Sequence, residues 1–371
     1  MPEGGHRGPL PPGSTIGILG SGQLGRMLAL AAARLGFKTH IYCEESGPAF
    51  DVATLTTKAG FDDPGALSAF AGKVDAVTYE FENVAVDTAR HLAGLVPVRP
   101  GAKALEVAQD RLVEKQFIAA LGIAVAPFCA IDAPAQLAAA LSSLAGPAIL
   151  KTRRLGYDGK GQASLAPGED AVAAWERIGA RSAVLERRID FALELSALVV
   201  RGAAGELAFY DCPRNTHENG ILRRSVVPSG LPEADLARAR DIAGTIAAAL
   251  DYVGVLAVEM FYLGAEARPA DRLMVNEIAP RVHNSGHWTI DACAVSQFEN
   301  HMRAVAGWPL GSAQRHSDAE MLNLIGKEAL DWARLAAEPG ACLHLYGKRD
   351  ARPGRKMGHV TRLLAAKVGT D

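Results

Sequence analysis

Short apolar runs alternate with longer amphipathic stretches along the first part of the chain. TIGILG, which begins at Thr15, predicts a buried strand, and the following GQLGRMLALAAARLGF predicts a helix. KTHIYC and VDAVTYE predict two more strands, with a helix near Pro64–Ala71 between them. Strands that alternate with helices favour a parallel, doubly wound sheet, the α/β class. VPVRPG, around Pro97–Pro100, predicts the end of this first unit.

A second unit is predicted from the helix DRLVEKQFIAALG onward. The strand PAILKT follows, and then a loop rich in glycine and charge, RRLGYDGKGQ. SAVLERR, ALELSALVVR and ELAFYDC predict strands in quick succession, which favours an antiparallel or mixed sheet. The helix PEADLARARDIAGTIAAALD precedes VGVLAVEMFYL and RLMVNEIAP, which we interpret as paired strands. A small third unit is predicted from about Ser312, with MLNLIG, CLHLYGK and the basic turn RPGRKMGHV.

Composition narrows the class of protein. The 371 residues suggest two or three domains, and the net charge of -2 gives no support to a nucleic-acid-binding surface. No apolar run approaches the roughly 20 residues that span a bilayer, and the Gly/Pro-rich start predicts a flexible leader rather than a signal peptide. Five scattered cysteines without metal spacing indicate reduced thiols and a cytoplasmic protein: Cys43, Cys129, Cys212, Cys293 and Cys342.

A glycine-rich turn joins the first strand to the first helix. Gly20, Gly22 and Gly25 have the G-x-G-x-x-G spacing, which brings backbone N–H groups at a helix N-terminus close to an anion. Glu44 ends the second strand, where a ribose-binding acid would lie in a dinucleotide site. The motif alone leaves three hypotheses open: a nicotinamide or flavin cofactor, a phosphate of another ligand, or a tight structural turn.

A second glycine-rich segment follows Lys151, which ends the strand AILK. The order of residues is not that of a Walker loop. A mobile loop with a lysine from the adjacent strand is instead suited to covering ATP phosphates and excluding water, although a solvated charged hairpin is the alternative. The glycines of this loop are Gly156, Gly159 and Gly161.

Two acidic residues stand in the last pair of predicted strands of the second unit. If these strands pair antiparallel, Glu259 and Glu277 can face one another across the sheet, with Asn276 beside them. Two carboxylates and an amide oxygen near a triphosphate form a natural magnesium site. A salt bridge inside the core is the alternative interpretation.

The segment APRVHNSGHW comes directly after these acids and is unusually polar for a structural turn. Arg281 could stabilise a developing acyl phosphate, while Asn284 and Ser285 could orient a second substrate. His283 could act as an acid or base, or only as a hydrogen-bond donor. His287 completes the polar group.

Taken together, DRLVEKQF, LKTRRLGYDGKGQ, the strand containing EMF and NEIAPRVHNSGHW resemble the ATP-grasp superfamily. With GSGQLGRM and RPGRKMGH, they are similar to the 5-(carboxyamino)imidazole ribonucleotide synthetase family, over about Thr15 to His359. The resemblance implies an ATP-grasp fold with an N-terminal Rossmann-like domain that binds no NAD and a small C-terminal β-rich domain. Its expected divisions are a leader over 1–14 and domains over 15–110, 111–311 and 312–371. Leu155 departs from the pattern, since a glycine often precedes GYDG.

The resemblance also implies which residues bind each ligand. ATP would contact Arg111, Lys151, Gly156, Tyr157, Asp158, Gly159, Lys160, Gly161, Gln162, Glu186, Glu194, His217 and Asn276. The ribonucleotide would contact Gln23, Leu24, Glu80, Glu82, Tyr157, Asp158, Lys160, Asn284, Ser285, Lys348 and Arg355. Bicarbonate would lie among Arg281, His283 and Asn284. Magnesium or manganese would be held by Glu259 and Glu277.

The implied activity is the ATP- and bicarbonate-dependent carboxylation of 5-aminoimidazole ribonucleotide through carboxyphosphate, in purine biosynthesis. A homodimer is expected, with a following mutase as a functional partner and neither nucleic acid nor membrane. Within the superfamily, the alternatives are a formate-dependent glycinamide ribonucleotide transformylase and a biotin carboxylase, which substrate exchange would distinguish. An NAD-dependent oxidoreductase would leave the paired acids unexplained, and a non-catalytic nucleotide sensor would leave the full set of site residues unexplained.

Overall fold

The structure is a computed structural model that describes residues 8–156, 160–166 and 169–364. Four strands form the first sheet: Thr15–Leu19 (β1), Lys38–Cys43 (β2), Leu55–Lys58 (β3) and Ala76–Tyr79 (β4). They lie in the order β3-β2-β1-β4 and every pair is parallel. The helices of this unit are Gln23–Arg34 (α1), Pro64–Ala71 (α2), Val86–Ala93 (α3) and Ala102–Ala108 (α4). The α/β alternation predicted from the sequence is therefore confirmed.

Burial explains the apolar run of β1, since Ile16, Ile18 and Leu19 are fully buried. A strand that is covered on both faces is apolar throughout, as parallel sheets require. Gly17 is the exception, and a Cβ there would lie 2.5 Å from the ring of Phe70. Glycine at this position thus allows α2 to pack closely on the sheet.

A second sheet of four strands follows the helix Arg111–Ala120 (α5). Its elements are Phe128–Ile131 (β5), Leu137–Leu144 (α6), Ala148–Thr152 (β6), Gln162–Leu165 (β7), Ala171–Arg177 (α7) and Ala183–Arg187 (β8). The strands are antiparallel, in the order β5-β8-β6-β7. Asp110 caps α5 by accepting hydrogen bonds from the backbone N–H groups of Leu112 and Val113.

The remaining strands form one large sheet of nine. They are Leu193–Arg201 (β9), Leu207–Phe209 (β10), Arg214–Glu218 (β11), Ile221–Val227 (β12), Gly254–Tyr262 (β13), Leu273–Ala279 (β14), Asp318–Ile325 (β15), Ala341–Leu345 (β16) and Lys356–Leu364 (β17). The order is β14-β13-β9-β11-β12-β15-β17-β16, and β10 pairs with β9. Its helices are Glu233–Ala249 (α8), Thr289–Ala292 (α9), Gln297–Ala306 (α10) and Trp332–Ala337 (α11). Short 3-10 helices span Phe50–Val52, Pro134–Gln136, Pro269–Asp271, Asn284–Gly286 and Gly326–Asp331.

The first unit and the large sheet share a hydrophobic core. Helix α10 packs against β13 on one side and against α1 on the other. Buried residues of this core come from both units, including Leu28 of α1, Val255 of β13 and Met302 of α10. The glycine-rich turn before α1 is thereby held in a fixed place relative to the strands that carry the predicted acids.

Two sequence-based expectations, on the sheet of SAVLERR and on the leader, need correction. SAVLERR does not join ALELSALVVR in one sheet, because β8 pairs with β5 and β6 whereas β9 belongs to the large sheet. The predicted C-terminal unit contributes β15, β16 and β17 to the large sheet, which it joins where β15 pairs with β12. The leader is anchored over its described part, where the backbone N–H of Leu10 donates to Ala306 (2.8 Å) and Trp308 Nε1 donates to the Leu10 carbonyl (2.7 Å).

The structure adds elements that the apolar pattern did not predict, among them β3, α3, α4 and the hairpin β11–β12. In the hairpin the pattern is hidden by a polar sequence, NTHENGILRRS, in which even buried positions such as Asn215 and Ser225 carry polar side chains. Across residues 8–156, 160–166 and 169–364, no helix combines the length and the apolar character that a membrane span requires.

Candidate active site

A cavity of about 450 Å³ lies between the antiparallel sheet β5-β8-β6-β7 and strand β13. At one end the rings of Phe191 and Phe261 stack, with centroids 4.6 Å apart and planes 9° apart. The lining residues are Ala126, Ile149, Lys151, Glu186, Arg187, Arg188, Ile189, Asp190, Phe191 and Phe261. A cleft with aromatic and aliphatic walls and charged groups at one end suits a planar heterocycle that carries an anion.

Two lysines contact the carboxylate of Glu186, which lines the cavity together with Lys151. Lys151 Nζ lies 2.9 Å and Lys115 Nζ 3.1 Å from Glu186 Oε2. Burial raises the pKa of Glu186, but the two ammonium groups outweigh it and hold that pKa below its usual range. Burial lowers the pKa of Lys151. Two cations against one carboxylate leave a positive excess, which favours an anionic ligand.

Arg111 connects the root of the glycine-rich loop to the predicted metal site. Its Nη1 donates to Glu277 Oε2 (2.9 Å) and its Nη2 donates to the carbonyl of Gly156 (3.0 Å). Burial lowers the pKa of Arg111, but the Glu277 carboxylate raises it overall. The guanidinium therefore stays charged at the place where the sequence predicts ATP phosphates.

The glycine-rich loop joins β6 to β7 and is closed by a backbone hydrogen bond from Thr152 N to the carbonyl of Gly161 (2.8 Å). Gly161 has φ +71°, and a Cβ there would lie 2.6 Å from Thr152 Oγ1, so glycine is required. Lys160 and Gln162 flank it. Three predicted ligands lie outside the described residues: Tyr157, Asp158 and Gly159.

The two predicted metal ligands face one another. Strands β13 and β14 pair antiparallel with Glu259 directly opposite Glu277, as the sequence predicted. The next pair is Met260 with Val275, so Asn276 is the extra residue of a β-bulge. A bulge re-aims side chains next to a site. This irregularity allows the adjacent residues Asn276 and Glu277 to serve the same site, which a regular strand would not.

His283 contacts Glu259. Its Nε2 lies 2.9 Å from Glu259 Oε1, and its Nδ1 lies 2.8 Å from Ser285 Oγ. Burial raises the pKa of Glu259, but His283 lowers it to about 2. Ser285 is fully buried and therefore orients the imidazole instead of facing the cavity.

Asn284 is also engaged inside the protein. Its side-chain amide forms reciprocal hydrogen bonds with the amide of Asn323 (2.9 and 2.7 Å). Its Nδ2 also lies 2.9 Å from His287 Nδ1. These contacts attach the 3-10 turn to β15, so the position that the sequence assigned to substrate binding also has a structural role.

Arg281 reaches from the end of β14 into the first domain. Its Nε donates to Glu82 Oε2, on the loop that follows β4. Burial raises the pKa of Glu82, but Arg281 outweighs it and lowers that pKa to about 2. The predicted bicarbonate residue and a predicted ribonucleotide residue are thus one ion pair between two domains.

Glu194 and His217 form another pair on the neighbouring strands β9 and β11. His217 Nδ1 lies 2.7 Å from Glu194 Oε2. Burial lowers the pKa of His217, but Glu194 raises it overall, with smaller contributions from Glu259 and Glu277. The same histidine thus lies within electrostatic reach of both predicted metal ligands.

The glycine-rich turn before α1 already binds a carboxyl group of the protein itself. The Glu80 carboxylate accepts hydrogen bonds from the backbone N–H groups of Gly22 and Gly25. Burial raises the pKa of Glu80 overall, although these N–H groups, Arg281 and Lys348 act in the opposite direction. The N–H groups that a dinucleotide pyrophosphate would use are therefore occupied, which argues against the cofactor hypothesis for this turn.

Gly22→Ala should lower the free energy of unfolding by about 1–3 kcal/mol, because overpacking forces a well-packed neighbour to move. A Cβ at Gly22 would lie 2.7 Å from Glu80 Oε1 although its backbone is extended, so the expected cost is steric. Gly72→Ala is the matched control, since its nearest neighbour would be 3.7 Å away. Urea denaturation of both variants checks this, and equal stabilities would contradict it.

The remaining predicted substrate residues lie on α1 and on the segment that joins β16 to β17. Gln23 and Leu24 begin α1, and Leu24 is buried. Lys348 Nζ donates to the carbonyl of Lys356 (2.7 Å). Arg355 donates from Nη1 to the carbonyl of Asp350 (3.0 Å), in the turn between β16 and β17.

Several residues of the site were missed from the sequence. Lys115 follows Arg111 by one helical turn on α5, so the i, i+4 spacing could have placed it on the same face. Glu114 accepts from the backbone N–H of Ile278 (2.6 Å), and burial followed by the Glu277 charge raises its pKa to about 8. Nothing in the local sequence distinguishes the stacked phenylalanines of the cavity from core residues.

A separate cluster combines Asp291 with His344 and His359. His344 Nε2 lies 2.9 Å from an Asp291 oxygen, while the two imidazoles stack at 4.4 Å with planes 10° apart. A single cation cannot lie in both of two parallel ring planes, as imidazole coordination requires. We interpret the cluster as a hydrogen bond between His344 and Asp291 with the His359 ring stacked on His344.

Three family models match successive parts of the chain. They describe a ribonucleotide synthetase preATP-grasp domain (residues 14–109), an ATP-grasp domain (116–298) and a phosphoribosylaminoimidazole carboxylase C-terminal domain (319–367). The ATP-grasp fold, with the two flanking domains that the sequence resemblance implied, is therefore confirmed.

Curated and solved relatives cover nearly the whole chain. The N5-carboxyaminoimidazole ribonucleotide synthase of Brucella melitensis is 50% identical over 357 residues, which are 95% of this chain and 97% of that protein. The N5-carboxyaminoimidazole ribonucleotide synthetase structure from Thermus thermophilus is 48% identical, with a TM-score of 0.87 over 94% of this chain and 93% of that one. The Aspergillus clavatus N5-carboxyaminoimidazole synthase, solved with ADP and 5-aminoimidazole ribonucleotide, is 32% identical, with a TM-score of 0.87 over 95% and 94%.

Proposed function

The chain belongs to the N5-carboxyaminoimidazole ribonucleotide synthase family, and from this premise we propose how its own residues carry out the reaction. It is an ATP-dependent, ADP-forming carbon–nitrogen ligase that carboxylates 5-aminoimidazole ribonucleotide in purine biosynthesis. The observation that carries the residue assignment is the facing pair Glu259 and Glu277, bounded by Arg111 on one side and His283 on the other.

The cavity suits the adenine of ATP. Its walls include the stacked Phe191 and Phe261, and Glu186 Oε1 is a buried acceptor without a partner among the described residues. An amino group of a purine would satisfy such an acceptor. The triphosphate would then extend past Lys151 towards Arg111, whose positive charges oppose those of the phosphates.

The facing acids fit a divalent magnesium or manganese ion. Both offer hard carboxylate oxygens from directly opposite positions, and Asn276 adds an amide at the bulge. Such an ion, when bound, would neutralise charge on the transferred phosphoryl group. In this structure Arg111 lies 2.9 Å from Glu277 and His283 lies 2.9 Å from Glu259, and these contacts support the assignment because they keep both carboxylates at the same place.

We propose bicarbonate as the co-substrate, held near Arg281. An oxygen of bicarbonate attacks the γ-phosphorus of ATP while the bond between this phosphorus and the ADP oxygen breaks, which gives carboxyphosphate and ADP. The exocyclic amine of the ribonucleotide then forms a bond to the carboxyl carbon, loses a proton and releases phosphate. Arg281 would counter the negative charge on the carboxyl group, while Glu82 keeps the guanidinium in place.

Phosphate release from MgATP tests the assignment, with and without 5-aminoimidazole ribonucleotide, in bicarbonate-depleted and bicarbonate-supplemented buffer. We expect release that needs the ribonucleotide and rises with bicarbonate. No phosphate release with bicarbonate and 5-aminoimidazole ribonucleotide, but release with formate and glycinamide ribonucleotide or with biotin, would contradict this assignment. The activity would then be that of the transformylase or the biotin carboxylase on the same fold.

Arg355→Ala should raise KM for the ribonucleotide by about tenfold, because a charge-assisted contact to a phosphate contributes roughly 1.4 kcal/mol. The KM for ATP should change little, since Arg355 lies in the β16–β17 turn and is not among the residues that line the cavity. Steady-state kinetics in each substrate check this. Arg352→Ala in the same turn is the control, because Arg352 pairs with Asp350 at the surface (2.9 Å). An unchanged ribonucleotide KM in Arg355→Ala would remove this residue from the site.

The other sequence-based expectations stay proposals. We propose domain limits at 15–110, 111–311 and 312–371, a homodimer in the cytoplasm and a mutase that consumes the unstable product. Sedimentation of the purified chain would test the dimer.

A further inference from the structure

A glutamine at the junction of two domains connects both sides of the proposed active site. Gln109 lies between α4 and α5 and is buried, with 7% of its surface exposed. Its Nε2 donates to the carbonyls of Glu82 (2.8 Å) and Val84 (2.5 Å). Its Oε1 accepts a hydrogen bond from Arg154 Nη2 (2.8 Å). The buried amide therefore uses both of its ends.

The orientation of this amide is fixed by its partners. A flipped amide would place its oxygen against the two carbonyls of Glu82 and Val84, and its NH2 group against the guanidinium of Arg154. Both contacts would pair like with like, acceptor with acceptor and donor with donor. Gln109 can therefore satisfy all three neighbours in only one orientation.

The next two residues, Asp110 and Arg111, contact the start of the β6–β7 loop, only on the proposed ATP side of the site. Asp110 forms a bidentate ion pair with Arg153 (3.0 and 2.7 Å). The backbone N–H of Arg111 donates to the carbonyl of Arg153 (2.9 Å), and its side chain contacts Gly156. Residues 109–111 thus hold the described root of the β6–β7 loop at consecutive positions.

Only Gln109 of these three residues also reaches the loop that follows β4. That loop carries Glu82, whose carboxylate accepts from Arg281. A continuous series of contacts therefore runs from Arg154, through the Gln109 amide and the Glu82 backbone, to Arg281. No other side chain in that series spans both loops among the described residues.

We propose that Gln109 is a positioning residue that couples the ATP side of the site to the ribonucleotide side. It touches neither reacting group. Instead it keeps Glu82, and through it Arg281, in register with the loop root that contacts ATP. Without this link, phosphoryl transfer and carboxylation would proceed with less dependence on one another, because energetic coupling requires a physical connection. This inference rests on the proposed function.

Three variants test the coupling. Gln109→Glu keeps an acceptor for Arg154 but places an oxygen against both carbonyls, so it breaks the side towards Glu82. Arg154→Ala breaks the other side, and the double variant Gln109→Glu with Arg154→Ala breaks both. Arg177→Ala is the matched control, an exposed arginine whose partner is Glu169 (2.9 Å).

The measured quantity is the amount of phosphate released per ribonucleotide carboxylated. We expect this ratio to rise by about threefold or more in each single variant. The ratio of the double variant should be no higher than the larger ratio of the two single variants, because the effects of residues in one network are not additive. Arg177→Ala should keep the wild-type ratio. Thermal melting accompanies each measurement.

A structural role alone would give a different result. If the melting midpoint falls and both phosphate release and carboxylation decrease in parallel, the ratio stays constant and the coupling proposal is overturned. Additive effects of the two single variants would also overturn it. If the wild-type enzyme shows no ribonucleotide-dependent release, the proposed function fails first, and the result is recognisable before any variant is measured.

Discussion

Glu277→Gln should reduce ATP-dependent phosphate release by more than about 100-fold, which corresponds to roughly 2.7 kcal/mol in the activation barrier. The substitution removes one of the two facing carboxylates and hence a proposed charged ligand for a divalent cation. The amide oxygen can still accept the hydrogen bond from Arg111 Nη1, so the fold should persist. The measurement is phosphate release at saturating ATP, together with the melting curve.

Glu176→Gln on the exposed face of α7 serves as the control for the same chemical change. It should turn over ATP like the wild type. Near-normal turnover in Glu277→Gln would refute the metal assignment. Calorimetric titration with Mg²⁺ and ADP provides a second readout, because the variant should lose the cation-dependent part of nucleotide binding.

Replacing Arg281 by methionine should lower carboxylation by about 100-fold or more, as expected when a charge that stabilises a transition state is removed. It should also lower the free energy of unfolding by about 3 kcal/mol, since it leaves the Glu82 carboxylate without its countercharge in a largely buried place. The double variant Arg281→Met with Glu82→Gln removes both charges. We expect it to recover most of the stability and none of the activity.

The pH dependence of stability gives an independent check. The folded pKa of Glu82 is lowered to about 2, below that of an unfolded glutamate near about 4.3. The pair therefore stabilises the wild type fully above about pH 4.3 and loses that contribution as the pH falls towards 2. The double variant should show a shallower decline over this window. Identical profiles would contradict the ion-pair assignment.

The alternation of elements and the family motifs could be predicted from the sequence because both are local patterns. β1, α1 and α2 follow directly from apolar spacing, and the pairing of Glu259 with Glu277 follows from two adjacent antiparallel strands. The membership of β8 in a different sheet from β9 could not be predicted, since strand partners are selected by tertiary packing and not by neighbouring sequence.

Contacts between distant parts of the chain were equally hard to predict within the site. A glycine-rich turn with the spacing of a dinucleotide motif instead receives Glu80, which lies far from it in sequence. Nothing in the local pattern distinguishes an external anion from an internal one. Gln109 was likewise invisible, because its importance lies in partners on two distant loops. The roles of Glu80 and Gln109 therefore depend on hydrogen bonds between residues far apart in sequence, which local motifs do not reveal.

The ion pair between Arg111 and Glu277 has a thermodynamic consequence. A divalent cation that binds Glu277 weakens the hold of this carboxylate on Arg111 Nη1, and the guanidinium becomes better able to contact a phosphate. The reverse exchange is equally favoured, since a phosphate that engages Arg111 leaves Glu277 more available to the cation. Each ligand should then tighten the binding of the other by the same factor, and this reciprocity favours the metal–nucleotide complex over either component alone.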